Sequence, residues 1–368
     1  MGLTALQERG QGLGTASGEY RGASTAARFS DPQAEFAALR GGCGVYDLGF
    51  RAKISLTGGD RVRWLNGMVT NNIRDLRAGD GVYAFLLNPQ GHILGDLYAY
   101  NRGESIVVDT DQSQLEKMLA TFDHYIIMDD VEIANLNDQV TALGVGGVRS
   151  REVLAACGMQ ISDMRPLEIV KVKSETGAEL SVVRTDDPIL ESYELWLNPA
   201  EVGNTWDALM AHGATPIGSE ALELHRIASG VPLYGVDIRE RDLPQETEQT
   251  RALNFNKGCY VGQEIVERIR SRGAVHRKFS GFAVAGDAKI AAGAKVLVGE
   301  KEVGEVTSAA TLRASESAKT IALGYIRREA GTPGRSVTIG AVRATVIAVP
   351  IGDSTLSAEE RAVEERPA

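Results

Sequence analysis

A cysteine between two glycines has the clearest chemical potential in this sequence. Cys259 lies between Gly258 and Gly262, and helical spacing begins at Gln263. Glycine on both sides permits a backbone bend that exposes the thiol, and the following helix would place its N-terminus close by. That position and the nearby Lys257 favour the thiolate. The alternative is a small buried residue, and exposure decides between the two.

Two carboxylates and one arginine stand where the pattern could turn them inward. Asp96 lies in an apolar strand, where partial burial would raise its pKa and allow proton exchange with a ligand nitrogen. Glu194 alternates with apolar residues, and a carboxylate that accepts two parallel N–H bonds suits an amino-pyrimidine edge, such as that of a pterin. Arg226 is a candidate anion clamp. The alternatives are a local backbone bond for the aspartate, an outward position for the glutamate and a surface position for the arginine.

Residues 268–278 form a basic segment. Five of them are arginine or lysine and none is acidic, although the whole chain carries a formal net charge of −10. The segment could hold a phosphate, a polyanionic tail or an RNA backbone, or it could be a solvated charged face. The negative total disfavours nucleic acid as the main partner, and RNA contact at this segment stays open as an alternative.

Composition excludes several classes of protein. The chain has 368 residues, of which 43% are hydrophobic and 24% charged, as is typical of a globular protein with two or three domains. Its three distant cysteines give no disulfide framework, and they fit a cytoplasmic protein. The histidines show no paired spacing, and no apolar run reaches membrane-spanning length. We therefore expect neither a dedicated metal site nor a membrane anchor.

The strands that must position the two carboxylates are visible in the pattern. Residues 82–87 and 93–100 read as a hairpin around a Pro- and Gly-containing turn, and its second strand carries Asp96. Residues 191–197 read as a strand that carries Glu194. Mixed strands and helices with short links surround both, which predicts sheets covered by helices.

The remaining segments differ in their predicted structure. A helix is predicted at 219–228, with Arg226 near its end. After Lys278 alternating strands with Gly turns predict a separate small β-barrel or sandwich. The first 30 or so residues are rich in Gly, Ser, Thr and Ala and are predicted to form a loosely packed arm. The end of the chain, 353–368, is acidic and is predicted to be flexible.

The run Lys-Gly-Cys-Tyr-Val-Gly-Gln-Glu at 257–264 resembles the characteristic motif of YgfZ-type proteins. These are folate-binding relatives of the glycine-cleavage T-protein that support iron–sulfur cluster synthesis and repair. The resemblance extends over roughly 51–350. Residues 65–73 are similar to the helix and Thr-Asn turn of the T-protein superfamily, 88–97 to its hairpin, and 226–237 to its Arg to Tyr-Gly-x-Asp stretch.

The resemblance implies the fold. It is an α+β, three-domain T-protein-like ring, in which two discontinuous α/β sheet domains and a C-terminal β-barrel surround a central folate cavity. The implied parts are a first domain at 1–50 plus 141–230, a second at 51–140 plus 231–278, the barrel at 279–352 and the acidic tail at 353–368.

The resemblance also implies the cofactor and the site. The cofactor is tetrahydrofolate or a one-carbon derivative, and Glu194 would bind the pterin. The residues implied as cofactor-binding are Glu194, Arg226, Tyr234 and Lys257. Cys259 takes the place of the functional YgfZ-type thiol. Asp96 falls where the aminomethyltransferases keep the aspartate that acts beside the folate amine.

Two functions follow as alternatives. The first is a cytoplasmic tetrahydrofolate-binding protein that assists iron–sulfur cluster assembly or repair, with iron–sulfur client or assembly proteins as partners and Cys259 as its thiol. The second is a folate-dependent aminomethyltransferase or methyltransferase that uses Asp96. The transferases usually carry paired aspartates at the hairpin, where Gly95 occupies the first place here, and they lack the Cys259 motif. An RNA or protein adaptor that acts through 268–278 is a third possibility.

Overall fold

The computed structural model describes residues 2–175, 177–273, 275–313 and 318–351. The acidic tail predicted at 353–368 lies outside the described residues. Within the described ranges no helix is long and apolar enough to cross a membrane.

The chain forms two compact units. Unit 1 contains the described residues of Met1–Asp186, Leu190–Leu222 and Arg251–Glu264. Unit 2 contains those of Asp187–Ile189, Glu223–Thr250 and Ile265–Ala368. Two larger sheets belong to unit 1 and a barrel belongs to unit 2. The three-domain boundaries implied by the resemblance divide the chain differently and stay a prediction.

The strands of unit 1 occur in short runs along the chain. They are β1 (Ala16–Tyr20), β2 (Ala23–Arg28), β3 (Gly44–Asp47), β4 (Arg51–Thr57), β5 (Gly81–Leu87), β6 (Ile93–Asn101), β7 (Ile106–Asp111), β8 (Glu132–Asn135), β9 (Thr141–Gly146), β10 (Ile169–Lys173), β11 (Glu179–Arg184), β12 (Ser192–Leu197) and β13 (Thr215–Pro216). One sheet has the order β5-β6-β7-β4-β8 and the other β10-β11-β12-β9-β3-β13, while β1 and β2 pair as a separate hairpin. The predicted hairpin that carries Asp96 and the predicted strand that carries Glu194 are confirmed.

The helices of the described ranges are short. They are α1 (Ala5–Glu8), α2 (Pro32–Gly41), α3 (Arg61–Met68), α4 (Leu115–Tyr125), α5 (Ser150–Ala156), α6 (Val202–Ala211), α7 (Ser219–Ser229) and α8 (Gln263–Arg272). Asp31 caps α2, because its side chain accepts a hydrogen bond from the backbone N–H of Gln33 and Pro32 occupies the first helical position. The helix predicted at 219–228 is confirmed as α7.

One face of each large sheet packs against helices. In β6, Leu97 and Ala99 are buried in a core that includes Leu65 of α3 and Phe122 of α4. Successive side chains of a strand point to opposite faces of the sheet. The side chains of Asp96 and Tyr98, which alternate with Leu97 and Ala99, therefore point away from these helices. Strand β12 behaves in the same way, with its odd-numbered residues in a core with α6 and its even-numbered residues on the opposite face.

The second faces of the two sheets pack against each other. Tyr100 and Val107 of the five-stranded sheet share an apolar cluster with Val183 and Trp196 of the six-stranded sheet. The rings of Tyr100 and Trp196 meet edge to face, with centroids 5.1 Å apart. This packing creates an inter-sheet space into which Asp96 and its neighbours on the same face project.

The C-terminal strands close into a barrel, as predicted. They are β14 (Arg277–Val284), β15 (Lys295–Val298), β16 (Lys301–Arg313), β17 (Ala318–Arg327), β18 (Ser336–Ile339) and β19 (Val342–Ile347), in the closed order β14-β17-β16-β15-β18-β19. The interior is filled by side chains such as Phe282, Val306, Ile326 and Val346. Closure pairs every strand with two neighbours, which removes the unpaired edges of an open sheet.

The prediction of a loosely packed N-terminal arm is wrong. Residues 2–30 contain α1 and the β1–β2 hairpin, in which Leu6, Thr25 and Ala26 are buried. The Thr25 hydroxyl donates a hydrogen bond to the buried Asp47 carboxylate over 3.3 Å. Small Ala and Thr side chains allow close approach of the backbone. The segment therefore packs tightly, although its composition is typical of a loose arm.

Candidate functional site

The Asp96 carboxylate belongs to a hydrogen-bonded network in unit 1. The Tyr83 hydroxyl donates to its Oδ2 over 2.7 Å and the Gln114 amide donates to its Oδ1 over 2.8 Å. The backbone N–H of Asp96 returns a bond to the Gln114 side-chain oxygen over 3.0 Å. Burial raises the pKa of Asp96, with a further increase from Asp111. The network agrees with an inward carboxylate and differs from the simple local backbone bond that was the alternative.

Aromatic side chains line the same face beside Asp96. The rings of Tyr83 and Tyr98 have centroids 5.0 Å apart. The Arg251 guanidinium lies 4.4 Å from the centroid of the Tyr83 ring and forms an ion pair with Asp186. Asp186 also accepts a hydrogen bond from the Tyr98 hydroxyl over 3.2 Å. Sequence reasoning missed Arg251, because it lies in an irregular segment far along the chain and no local pattern marks it.

A buried ion cluster lies on the next strands of the five-stranded sheet. Asp109 accepts hydrogen bonds from Arg51 (Nη2 at 2.9 Å) and from Lys53 (Nζ at 2.8 Å), and Arg51 Nη1 reaches Asp111 at 2.5 Å. Asp109 and Lys53 are fully buried. Burial by itself would raise the pKa of Asp109, but the two cations outweigh burial and lower it.

Sequence reasoning missed this cluster too, although a signal was present. Arg51 and Lys53 lie two residues apart on one strand, and Asp109 and Asp111 lie two residues apart on another. Such alternation places like charges on one face of each strand. Only the antiparallel register of β4 with β7, which pairs Arg51 with Asp111 and Lys53 with Asp109, brings opposite charges together.

Glu194 faces the inter-sheet space, so the outward alternative is wrong. The Trp196 indole N–H donates to its Oε2 over 2.8 Å, and no described residue donates a hydrogen bond to its Oε1. Burial raises the pKa of Glu194 and Asp109 raises it further, while Lys53 and Arg51 act in the opposite direction. The carboxylate is therefore held in place through one oxygen and leaves the other for a ligand.

The exposure of Cys259 separates it from the other cysteines. Cys259 is exposed, whereas Cys43 and Cys157 are 3% and 1% exposed. Helix α8 begins at Gln263, as predicted, four residues after the thiol. Gly262 has a φ of +81°, and a Cβ there would lie 2.6 Å from the Asn88 carbonyl oxygen, so only glycine fits this bend.

We expect the exposed thiol of Cys259 to react faster than the two buried thiols. In the native protein one thiol per chain should react rapidly with a disulfide reagent such as dithiobis(nitrobenzoate), and Cys259→Ser should remove that phase. Burial raises the pKa of Cys43 and of Cys157 to about 11, so both should react only after unfolding. Rapid reaction of two or three thiols in the folded protein would contradict the assigned burial.

Lys257 is engaged by the protein backbone. Its ammonium donates to the carbonyl oxygens of Asn66 and Val69, each over 2.5 Å, at the C-terminal end of α3. It also lies 4.8 Å from the centroid of the Tyr260 ring. A cation at this end of a helix satisfies carbonyl groups that have no partner within the helix. These contacts anchor the segment that carries Cys259 to α3.

The anchoring ammonium predicts a pH effect on stability. Burial lowers the pKa of Lys257 from its ordinary 10.5 to about 7. The lowered pKa means that burial costs the charged form more than its two carbonyl bonds return, so stability rises as pH increases from about 7 to about 10.5. The free energy of unfolding, measured with urea, should increase relative to Lys257→Met over that window. Lys301→Met, at an exposed lysine, is the control, and a difference that stays constant with pH would refute the prediction.

Arg226 lies in unit 2 and its donors are occupied there. Its guanidinium donates to Glu223 through two nitrogens, to the Val231 carbonyl oxygen at 2.7 Å, to Asp237 at 2.6 Å and to Ser308 at 3.0 Å. These bonds account for all five N–H groups. An anion clamp at Arg226 would require a different set of contacts from those observed.

The predicted residues divide between the two units. Asp96, Glu194 and Lys257 belong to unit 1, as does Cys259. Arg226 belongs to unit 2, and so does the half-buried Tyr234. Asp96 and Glu194 project from the two sheet faces that pack against each other, and Arg51 lowers the pKa of both carboxyl groups. Among the described residues no three His, Cys, Asp or Glu side chains converge as metal ligands.

Part of the basic segment at 268–278 is neutralised. Arg277 donates to Asp242 over 2.6 Å and to Glu246 over 3.0 Å. The side chain of Arg272 lies outside the described part of the structure. Compensation of Arg277 reduces the charge that the segment offers to a nucleic-acid backbone.

Two family models cover most of the chain. The GCVT N-terminal domain matches residues 6–257, and the glycine cleavage T-protein C-terminal barrel domain matches residues 277–353. This chain belongs to the glycine-cleavage T-protein family. Members of the T-protein family bind tetrahydrofolate, and the superfamily indicated by the sequence is confirmed.

Similar proteins agree with membership of the T-protein family. An aminomethyltransferase of Rubrobacter xylanophilus is 29% identical over 307 residues, which are 83% of this chain and 82% of the relative. An aminomethyltransferase of Halothermothrix orenii is 28% identical over 348 residues, 92% of this chain and 95% of the relative. The crystal structure of the glycine cleavage system aminomethyltransferase T from Bartonella henselae has the same fold, with a TM-score of 0.84 and 19% identity over 95% of this chain and 98% of that one.

Proposed function

We propose that this T-protein family member binds tetrahydrofolate in the inter-sheet space of unit 1 and assists iron–sulfur cluster assembly or repair. The observation that supports the folate site is the Glu194 carboxylate, which Trp196 holds through one oxygen while the other accepts no bond from a described residue. A pterin presents parallel N–H donors on its amino-pyrimidine edge, and an ionised carboxylate is their natural acceptor.

The surrounding residues suit a flat, reduced ring. Tyr83, Tyr98 and Tyr100 form a continuous aromatic wall, with neighbouring centroids 5.0 and 6.4 Å apart. Tetrahydrofolate, when bound, supplies nitrogen atoms that carry one-carbon units. Asp96, with its raised pKa, would hold or accept a proton beside such a nitrogen, and the Tyr83 hydroxyl and Gln114 amide would keep its carboxyl group in place.

The iron–sulfur part of the proposal rests on Cys259. The 257–264 motif is the part of the sequence that resembles YgfZ-type proteins, and its thiol is exposed while the other two cysteines are buried. Thiolates are ligands that iron–sulfur clusters prefer. We therefore propose iron–sulfur client or assembly proteins as partners of this exposed segment, with the cytoplasm as the compartment.

A deletion and rescue experiment tests the function. Activities of iron–sulfur enzymes should fall in cells that lack the gene and recover with the wild-type protein but not with Cys259→Ser. Asn256→Ser, at an exposed neighbour in the same segment, is the matched control and should rescue fully. Equal enzyme activities with and without the gene would remove the proposed function. Full rescue by the serine variant would remove the role of the thiol.

An aminomethyltransferase is the second candidate, and the position of Gly95 keeps it open. A Cβ at Gly95 would lie 2.9 Å from the Gln114 side-chain oxygen, on the helix-covered face opposite to the Asp96 side chain. A side chain at position 95 would therefore point away from the face that carries the Asp96 carboxylate. The test is formation of methylene-tetrahydrofolate and ammonia from aminomethyl donors, with Asp96→Asn beside the wild type. Absence of turnover in the wild type would count against this candidate.

A further inference from the structure

A cavity of about 610 Å³ opens in unit 1 at the end of the inter-sheet space that lies away from Asp96. Strand β6 runs from the Asp96 end of that space to the turn that contains Arg102 and Ser105, and both of these line the cavity. Lys53 and Trp196 also line it, and both interact with the Glu194 carboxylate of the proposed folate site. Its volume lies within the range of about 300–1,000 Å³ that is typical of small-molecule sites.

The walls of the cavity are largely apolar. They come from strands of both sheets and from the segment after β8, and the apolar side chains that line the inter-sheet space here include Val107, Leu136, Val140 and Trp196. Val107, Val140 and Trp196 belong to the apolar cluster between the two sheets. An apolar lining of this extent favours a ligand with a hydrocarbon or aromatic body.

The charged side chains of the cavity are mostly cationic. Lys53, Arg102, Lys171 and Lys173 line it, against the single carboxylate of Glu179. Lys53 is neutralised by its bond to a buried aspartate, and Lys173 lies 3.2 Å from Glu179. Arg102 and Lys171 remain without an acidic partner among the described residues. This local excess of positive charge occurs on a chain whose formal net charge is −10.

Arg102 is the residue that indicates an anion. It is half-buried, and none of its side-chain donors contacts an acceptor among the described residues. Burial lowers its pKa, and no nearby carboxylate compensates that effect. A partly desolvated guanidinium gains most from an acceptor with two oxygens in one plane, such as a carboxylate or a phosphate. Ser105, in the same turn, offers a further hydroxyl donor to the cavity.

We propose that this cavity is a second ligand site of the protein, which binds a small organic anion with an apolar aromatic or aliphatic body and one carboxylate or phosphate group. The anionic group pairs with Arg102, and the body lies against Val140 and Trp196. The inference does not depend on folate binding, because it uses a different end of the inter-sheet space.

Calorimetric titration of the full chain with three matched probes tests the proposal. 1-Naphthoate and 1-naphthyl phosphate share an aromatic body and differ in the anionic group, and 1-naphthol lacks the charge. At least one anion should bind one-to-one and about tenfold or more tighter than 1-naphthol. Arg102→Gln should weaken binding of that anion by about tenfold or more, and Arg327→Gln, at an exposed arginine of the barrel, should leave it unchanged.

A second variant guards against a folding defect. Lys171→Glu reverses an exposed charge at the rim of the cavity and should also weaken binding of the anionic probe if the site is correct. Circular dichroism checks the folding of each variant. The proposal would be overturned if 1-naphthol bound as tightly as the anions, or if the wild type and both variants bound the anion equally well. It would also be overturned if neither anion bound at about millimolar concentration. Saturating tetrahydrofolate should leave probe binding to the wild type unchanged. Displacement of the probe by tetrahydrofolate would instead show that the cavity is part of the folate site and would remove the second site.

Discussion

Glu194→Ala should bind tetrahydrofolate about 100-fold more weakly than the wild type. The variant removes the acceptor for two charge-assisted hydrogen bonds, each worth about 1.5–3 kcal/mol, and the loss of both corresponds to at least that factor. The Trp196 indole N–H loses its partner too, which loosens one wall of the site. Calorimetric titration with tetrahydrofolate measures the change directly.

The pH dependence of the same titration gives an independent check. Binding requires the ionised carboxylate, and burial raises the pKa of Glu194. Affinity should therefore fall at a higher pH than for an ordinary glutamate as the solution is acidified, and Glu194→Ala should lack this dependence. Glu132→Gln, at an exposed strand position, is the matched control. Wild-type affinity in Glu194→Ala would place the ligand elsewhere.

Asp109→Asn should reduce the free energy of unfolding by about 3–5 kcal/mol, the usual cost of removing one partner from a buried ion pair. Asp109 compensates Arg51 and Lys53, and an amide cannot neutralise either cation. Both cations stay buried because β4 lies in the interior of its sheet between β7 and β8. The melting temperature should fall by about 2–4 °C for each kcal/mol.

The sign of the pH effect distinguishes lost charge from lost packing. The pKa of Asp109 is lowered in the folded state, so its stabilisation is present above the unfolded pKa and is lost as pH falls through the folded pKa. The difference between the wild type and Asp109→Asn should be full at neutral pH and should close only in acid. Asp123→Asn, at an exposed helix position, is the control. A difference that persists unchanged into acid would assign the effect to packing.

The two variants are linked through charge. Asp109 raises the pKa of Glu194, whereas Arg51 and Lys53 lower it. Removing the Asp109 charge leaves Lys53 without its acidic partner and Arg51 with Asp111 alone, and the excess positive charge favours the ionised form of Glu194. In Asp109→Asn the acid limit of folate binding should move to lower pH, and an unchanged acid limit would contradict control of the Glu194 charge by the ion cluster.

The sequence by itself determined the local elements and the family. Period-two alternation placed Asp96 and Glu194 on strands, Gly turns marked the barrel, and the 257–264 motif indicated the T-protein superfamily and the bend that exposes Cys259. Each of these signals is contained in a short stretch of chain. Alternation alone also separates the two faces of a strand, so it predicts which residues lie together on one face.

The tertiary structure alone decided which faces meet. Alternation assigns Arg51 and Asp109 to faces of their own strands, but only sheet register pairs them, and only packing of one sheet on the other brings Glu194 near both. Contacts between residues far apart in the chain also placed Arg251 over Tyr83 and occupied the donors of Arg226. Such contacts depend on the summed packing of whole sheets, which no short pattern encodes.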